Sequence, residues 1–305
     1  MSKTLAIVQS NYIPWKGYFD LINFADEFVF LDEVQYTRRD WRNRNQIKTP
    51  GGLHWLTIPV QTRGKYLQPI NETRVDGAAW RSSHWRTLSQ NYSRATYFHK
   101  YQELFEDLYL GSAEDRLSEV NRAFIAAVCD ILGIRTPQYW SSDFDSFEEQ
   151  ADWLVALRKQ GSVLGVRDAV QSRAALSSVI SLESRLQEPC LLAERQGSHP
   201  GTNPSDPHSA RLLPVDSSDP CARKNGRLIH LCKQTGANIY LSGPSARSYL
   251  DETWFCAEGI AVKYIDYNAY PAYRQLYAPF EHEVTILDLI FNEGPNAYRY
   301  LKSFA

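Results

Sequence analysis

Apolar and polar positions along the chain alternate between two kinds of pattern. Leu5-Ala6-Ile7-Val8 is continuously apolar, as a strand buried on both faces requires, and predicts a first strand over residues 4–9. Residues 17–25 (GYFDLINFA) have helical spacing, with Phe19, Ile22 and Ala25 available for one face. A second β-rich run, residues 27–31, follows at once. Strand, loop, short helix and strand is the order of a βαβ unit, which implies a parallel sheet with a site at the C-terminal ends of its strands. The loop at 10–16 and the pair Asp32-Glu33 then share that edge. A third strand is expected over residues 54–60, after the turn Thr49-Pro50-Gly51-Gly52.

Residues 79–133 read as helical. Val120, Phe124, Ile125, Val128, Ile131 and Leu132 form a stripe closed by Gly133, and Trp80, Trp85 and Tyr92 form the buried face of the first helix in this part. The pattern changes after residue 146. Residues 147–187 have the spacing of amphipathic helices, but from Pro189 to Pro220 Pro, Ser, His and Gly crowd together and no apolar period survives. His199 and His208 lie there at no metal-ligand spacing. Periodicity returns with a helix from 226 to Gly236, a strand over 238–241, a turn at 242–245 into a helix over 246–250, a strand over 260–265 and a closing amphipathic helix over 283–291. The expected fold is α/β: a mainly parallel sheet flanked by helices, with a helical middle segment and a poorly ordered insertion. Residues 1–145 and 220–305 are then two parts of one domain, separated by the insertion at 146–219.

The formal charge of −2 creates no global field for nucleic acid or a membrane surface, so any anion binding must come from local clusters. Five cysteines without a C-x-x-C pair argue against a disulfide framework and fit a reducing compartment. The N-terminal apolar run is too short for a signal peptide, and no window approaches the ~18 apolar residues of a spanning helix. A cytoplasmic protein without membrane insertion is expected. Aromatic residues make up 13% of the chain, enough both to stiffen a core and to line a pocket.

Four stretches could carry chemistry. In the opening loop Asn11, Tyr12, Trp15 and Lys16 precede a helix, so backbone N–H groups, a cation and rings could cradle a phosphate and stack on a base or sugar; the alternative is a packed corner. Residues 34–50 interleave Arg38, Arg39, Arg42, Arg44 and Lys48 with Tyr36, Trp41, Asn43 and Asn45, a mixture that suits phosphate and sugar recognition because guanidinium forks bind phosphate oxygens bidentately. No matching basic surface elsewhere supports nucleic acid as a partner. Ser242 and Ser245 follow a strand and could cap a helix or bind an anion. Finally, residues 266–282 gather Tyr270, Tyr273 and neighbouring tyrosines before Glu281 and His282, a possible pocket wall with acid/base groups. Metal-ligand and serine-hydrolase motifs are absent, and the sequence names neither a cofactor nor an oligomeric state.

The stretches QSNYIPWKGYFDLI, FVFLDEVQYTRRDWRNRNQIKTP, WLTIPV, TGANIYLSGPSARSYLDE and YPAYRQLYAPFEHEVTILDLIFNEGP together resemble the WbqC-like family of bacterial proteins, often linked with O-antigen and other surface-polysaccharide gene clusters. The resemblance covers both ends of the chain. Family members run almost directly from a segment like WSSDF to a helix like NGRLIHLCKQTGA, whereas here the insertion intervenes. The resemblance implies an enzyme of surface-polysaccharide biosynthesis that binds a nucleotide-sugar or other phosphate-bearing small molecule. Transfer of an acyl or aminoacyl group to an amino sugar is the preferred reaction. Lys16, Arg38, Arg39, Arg42 and Arg44 would hold phosphates, Asp32 or Glu281 with His282 would move protons, and the tyrosines and tryptophans would stack. More faintly, the opening resembles the first strand–loop–helix of HIGH-type nucleotidyltransferases, with Pro14-Trp15-Lys16-Gly17 in place of the histidines. A non-catalytic carbohydrate-binding or assembly factor is the competing class.

Overall fold

The computed structural model describes residues 2–147 and 220–305. The helices expected over 147–187 and the Pro-rich run after Pro189 fall, apart from their outermost residues, outside that set. Among the described residues, β1 (Thr4–Val8), β2 (Glu27–Phe30), β5 (Gln138–Trp140), β6 (Ile239–Ser242) and β7 (Ala261–Tyr264) form one parallel sheet in the order β5-β2-β1-β6-β7. The fold is α/β. Leu5 and Ala6 at its centre have no exposure, which is why that run is apolar without alternation.

From β1 the chain passes through α1 (Lys16–Asn23) to β2 and outward to β5, then returns to lay β6 against the other side of β1. The strand order therefore reverses between β1 and β6, the switch point of a doubly wound sheet. The pairs Thr4↔Ile239 and Ala6↔Leu241 join the two ends of the chain in this one sheet.

Two expected elements take a different form, and two further strands are present. The strand expected over 54–60 is present as β4 (Gly52–Thr57), ending earlier than expected and standing outside the main sheet, where it pairs antiparallel with β3 (Arg44–Thr49). The tight turn between them, with Gly52 at φ +104°, permits a hairpin, whereas a parallel neighbour would need a long crossover. The helix expected over 246–250 is a 3₁₀ turn, Pro244–Ser248, and α6 (Glu252–Ala257) follows it, capped by Asp251, whose Oδ1 accepts the Thr253 N–H at 3.0 Å. The strand β5 escaped notice because three residues are too few to show a period.

Helices α2 (Ala79–Tyr92), α3 (Phe98–Glu106) and α4 (Leu117–Leu132) occupy the middle of the chain as expected, and α5 (Pro220–Thr235) leads into β6. The last helix, α7 (Ile286–Glu293), is not amphipathic in place: residues from Ile286 to Asn292 are all buried. Tyr92, Phe98 and Phe105 close on Phe291 with centroids 5.1–5.5 Å away, so α7 is a core element.

Candidate functional site

The loop after β1 is a held, strained corner. Asn45 donates to the carbonyls of Tyr12 (3.2 Å) and Ile13 (2.8 Å), and the Pro14 carbonyl accepts the Ile286 N–H at 2.9 Å. These bonds keep Ile13 at φ +38°, a left-handed conformation that a β-branched residue adopts only under constraint. Trp15 folds over Gly17, where a Cβ would come within 2.4 Å of Trp15 Cζ2, so only glycine fits the first turn of α1. Tyr12, expected to stack on a ligand, is wholly buried. Its hydroxyl meets His84 Nδ1 at 2.9 Å and the Tyr109 hydroxyl at 2.5 Å, leaving no face free.

Lys16 turns into the protein and is 2% exposed. Its Nζ lies 4.9, 5.4 and 5.9 Å from the ring centroids of Tyr270, Tyr273 and Phe280. It donates to the Pro271 carbonyl (3.3 Å) and meets His282 Nδ1 at 3.2 Å. No ion pair to it is present among the described residues. Carboxylates answer its charge through the rings: the Tyr270 hydroxyl donates to Asp20 Oδ2 (2.5 Å) and the Tyr273 hydroxyl to Asp288 Oδ1 (2.6 Å). Tyr92 donates to the other oxygen of Asp288 at 2.8 Å. Burial lowers the Lys16 pKa to about 8, against the pull of Asp20 and Asp288. His282 is exposed, and partial burial and the lysine hold its pKa below the usual value. Lys16, Tyr270, Tyr273, Asp20 and Asp288 thus each have hydrogen-bond partners within this chamber.

Asp32 lies at the end of β2 and is 1% exposed. Ser10 donates its N–H to Oδ1 at 2.8 Å, and Asn121 positions Ser10 by donating to its hydroxyl at 3.1 Å. Oδ2 has no partner. Burial raises the pKa to about 6, outweighing the Ser10 hydrogen bonds and the Arg42 charge, with a further push from Glu119. Asp32 lines a cleft of about 420 Å³ between the ends of β2 and β5 and the first turn of α4. Its walls include Glu33, Asn71, Glu72, Glu119, Trp140, Ser141 and Ser142 together with Arg74 and Arg116. Asn71 Oδ1 is a second buried acceptor without a partner among the described residues. Four carboxylates against two guanidiniums make the cleft attractive to donors and cations rather than to phosphate.

The basic stretch divides. Arg42 turns toward the end of β1, where its guanidinium donates to Asn11 Oδ1 (2.5 Å) and Gln9 Oε1 (3.0 Å) and lies 3.7 Å from Asp40. Asn43 is buried and donates to the Ile58 carbonyl at 2.8 Å, a structural role in place of the expected ligand contact. Arg38, Arg39 and Trp41 are exposed, and Arg44 lies 4.2 Å above the ring of Trp55. Lys48 is buried in β3.

Trp15 packs edge-on against Tyr267 (5.0 Å) and Tyr270 (5.6 Å). Ser242 is the buried last residue of β6, and Ser245 is exposed in the 3₁₀ turn, so the two do not converge on an anion site. Tyr270 and Tyr273, expected to stack on a ligand, are buried around Lys16 instead. The Glu281 backbone is tied to Gln275, and no hydrogen bond or ion pair joins its carboxylate to His282 or to Asp32. Asp32 and the Glu281–His282 pair thus belong to different surroundings. The residues that sequence reasoning missed are Asn71, Glu119, Trp140, Ser141 and Ser142 around the cleft, and Asp20 and Asp288 behind the lysine. Asp20 and Asp288 carried a signal, each being the acidic residue of an otherwise apolar helical run.

The chain belongs to the WbqC-like protein family, which matches residues 9–177 and 212–300. It is 39% identical over 300 residues, 98% of each chain, to a Mycobacterium tuberculosis H37Rv protein described as the uncharacterized protein Rv1507c. That alignment spans the segment between the two flanks, so the segment has a counterpart in this relative. No solved structure matches the chain. Among the described residues no helix is long and apolar enough to cross a membrane.

Proposed function

We propose that this member of the WbqC-like family is a cytoplasmic group-transfer enzyme of surface-polysaccharide biosynthesis, with the Asp32 cleft as its acceptor site. The observation that carries the reading is the unpartnered Oδ2 of a buried carboxylate on the wall of a cleft. A buried acceptor left open costs stability, and such groups cluster where chemistry needs them. The acceptor is a sugar bearing an amine. Its ammonium is drawn by the carboxylate-rich lining, its hydroxyls meet Asn71, Ser141 and Ser142, and its ring lies against Trp140.

Transfer of an acyl or aminoacyl group then follows ordinary chemistry. The bound ammonium first releases one proton to water in the open cleft; the free amine nitrogen then bonds to the acyl carbon, and the bond to the leaving group breaks as that group departs with its electron pair. The attacking nitrogen becomes strongly acidic, and Asp32 Oδ2 takes its proton. A base of pKa about 6 is ionised at neutral pH and suited to that step. Arg42, whose charge reaches Asp32, receives the anionic part of the donor.

The test is incubation with acyl-thioester, aminoacyl and nucleotide-sugar donors together with amino sugars, read by mass spectrometry. Product formation that Asp32→Asn abolishes is expected. Equal turnover by Asp32→Asn, or no thermal shift with any donor or acceptor, would overturn the reading.

A further inference from the structure

The outward half of the basic stretch forms a continuous surface that the proposed chemistry does not use. Trp41 and Trp55 pack at 5.5 Å, and Arg44 covers Trp55 and donates to the Arg39 carbonyl. Next to it Arg38 lies 5.6 Å over Tyr66 and donates to the Thr62 carbonyl at 3.4 Å, while Gln35 holds the Tyr66 carbonyl at 2.8 Å. The surface thus runs from the β3–β4 hairpin to the turn at 62–67. Tyr66 and Leu67 protrude from it, 81% and 80% exposed, and Trp41, Leu53 and Trp55 are 42%, 43% and 39% exposed. Arg38, Arg39, Arg44, Arg63 and Lys65 supply five cations on this face. Its carboxylate, Asp40, is occupied by the Thr37 hydroxyl and the Trp41 N–H.

We infer that this face docks on the interface of an anionic lipid bilayer, with Tyr66 and Leu67 entering the headgroup layer. Charge decides the sign of the partner: five cations in a chain of net charge −2 form a local field that attracts anions. The apolar tip decides its kind. Leucine and aromatic side chains flanked by Arg and Lys are the composition of an interfacial anchor, where rings and stems sit at headgroup depth and the cations meet lipid phosphates. Single-stranded nucleic acid fits less well, because it needs open ring faces. Here Arg44 and Trp41 pack on Trp55, and the exposed Tyr66 has Arg38 5.6 Å from its ring centroid rather than a second open ring to continue a stack. A protein interface would deplete its centre of charge, whereas here Arg44 lies over Trp55 and Arg38 lies beside Tyr66. Docking at the surface needs no spanning helix.

The inference is tested by sedimenting the full-length protein with vesicles of phosphatidylglycerol and phosphatidylcholine, and with vesicles of phosphatidylcholine alone. Binding to the anionic vesicles that weakens with salt is expected, with little to the neutral ones. Arg63→Glu with Lys65→Glu lowers the apparent affinity at least ~10-fold, given roughly 1 kcal/mol per cation near the surface. Tyr66→Ser with Leu67→Ser weakens binding several-fold. Both pairs are exposed and away from the Asp32 cleft, so melting temperature stays at the parent value, and a parent-like melt shows that each variant is folded. Absence of sedimentation with anionic vesicles at low salt overturns the inference. So does equal binding by the parent and both variants, or capture of the parent by single-stranded nucleic acid while vesicles leave it in solution.

Discussion

Lys16 and Asp32 are both buried ionisable groups at the C-terminal edge of the same sheet, yet their surroundings are opposite. Lys16 is enclosed: three rings, a carbonyl and His282 take its directions, and two carboxylates answer its charge through tyrosine hydroxyls. Asp32 is open: Ser10 holds one oxygen and the other has no partner beside a cleft. The shift of each pKa has the same first cause, burial, so the shift does not separate them. What separates them is whether each polar atom has a partner among the described residues: Lys16 Nζ does and Asp32 Oδ2 does not. A completed buried group holds the fold together, and an incomplete one is available to a substrate.

The largest effect that would break this contrast is at Asp32. Asp32→Asn should lower kcat/KM by ~100-fold or more, the usual range for a lost general base. In the parent, kcat/KM should rise with pH through about 6 as the carboxylate ionises. The same variant should melt no lower than the parent at neutral pH. Asp32 holds its proton more tightly folded (about 6) than unfolded (3.8), so its stabilising contribution is full below pH 3.8 and is lost as the pH rises through 6. A large drop in melting temperature at pH 7 would instead make Asp32 a structural group.

Next in size is the chamber. Tyr273→Phe leaves Asp288 short of a donor in a buried setting and should cost about 1–3 kcal/mol in denaturant unfolding. Asn71→Ala, at the cleft, should leave stability nearly unchanged and raise the acceptor's KM by ~5- to 10-fold, one hydrogen bond's worth. Smallest is Lys16→Met, expected within ~1 kcal/mol of the parent at pH 7, because a shape-matched apolar residue removes the cost of burying the charge. Its signature is in pH. The parent's Lys16 term is full above 10.5 and is lost as the pH falls through about 8; the Met variant lacks this slope. A variant unable to fold, or one retaining the slope, would show that the lysine is held in some other way.

The basic stretch shows how much of the site was legible in sequence. Alternation of cations and rings over 38–44 marked an anion-seeking segment, but residues 38–43 form successive turns ahead of β3, and turns have no fixed period by which local pattern could sort their side chains. Arg42 turned to Gln9 and Asn11 while Arg44 turned to Trp55, and Asn43 between them was buried. The opening loop was legible as something unusual, since Pro14, Gly17 and four rings in the nine residues 11–19 rarely occur without constraint. It proved to be the packed corner, closed by Asn45 and Trp15, with the cation facing inward. Asn71 and Trp140 left no local trace, because nothing in their neighbours' periodicity points to a cleft.

The sequence by itself determined the α/β class, the buried strands and the helical stripes, since periodicity is a property of adjacent residues and burial follows from it. Only the tertiary structure decided which polar groups are complete. The partners of Lys16 are 255 and 266 positions away along the chain, and the cleft beside Asp32 is assembled from residues 32–33, 71–74, 116–119 and 140–142. Hydrogen-bond completion is a question of who arrives in space, and local pattern carries no record of that.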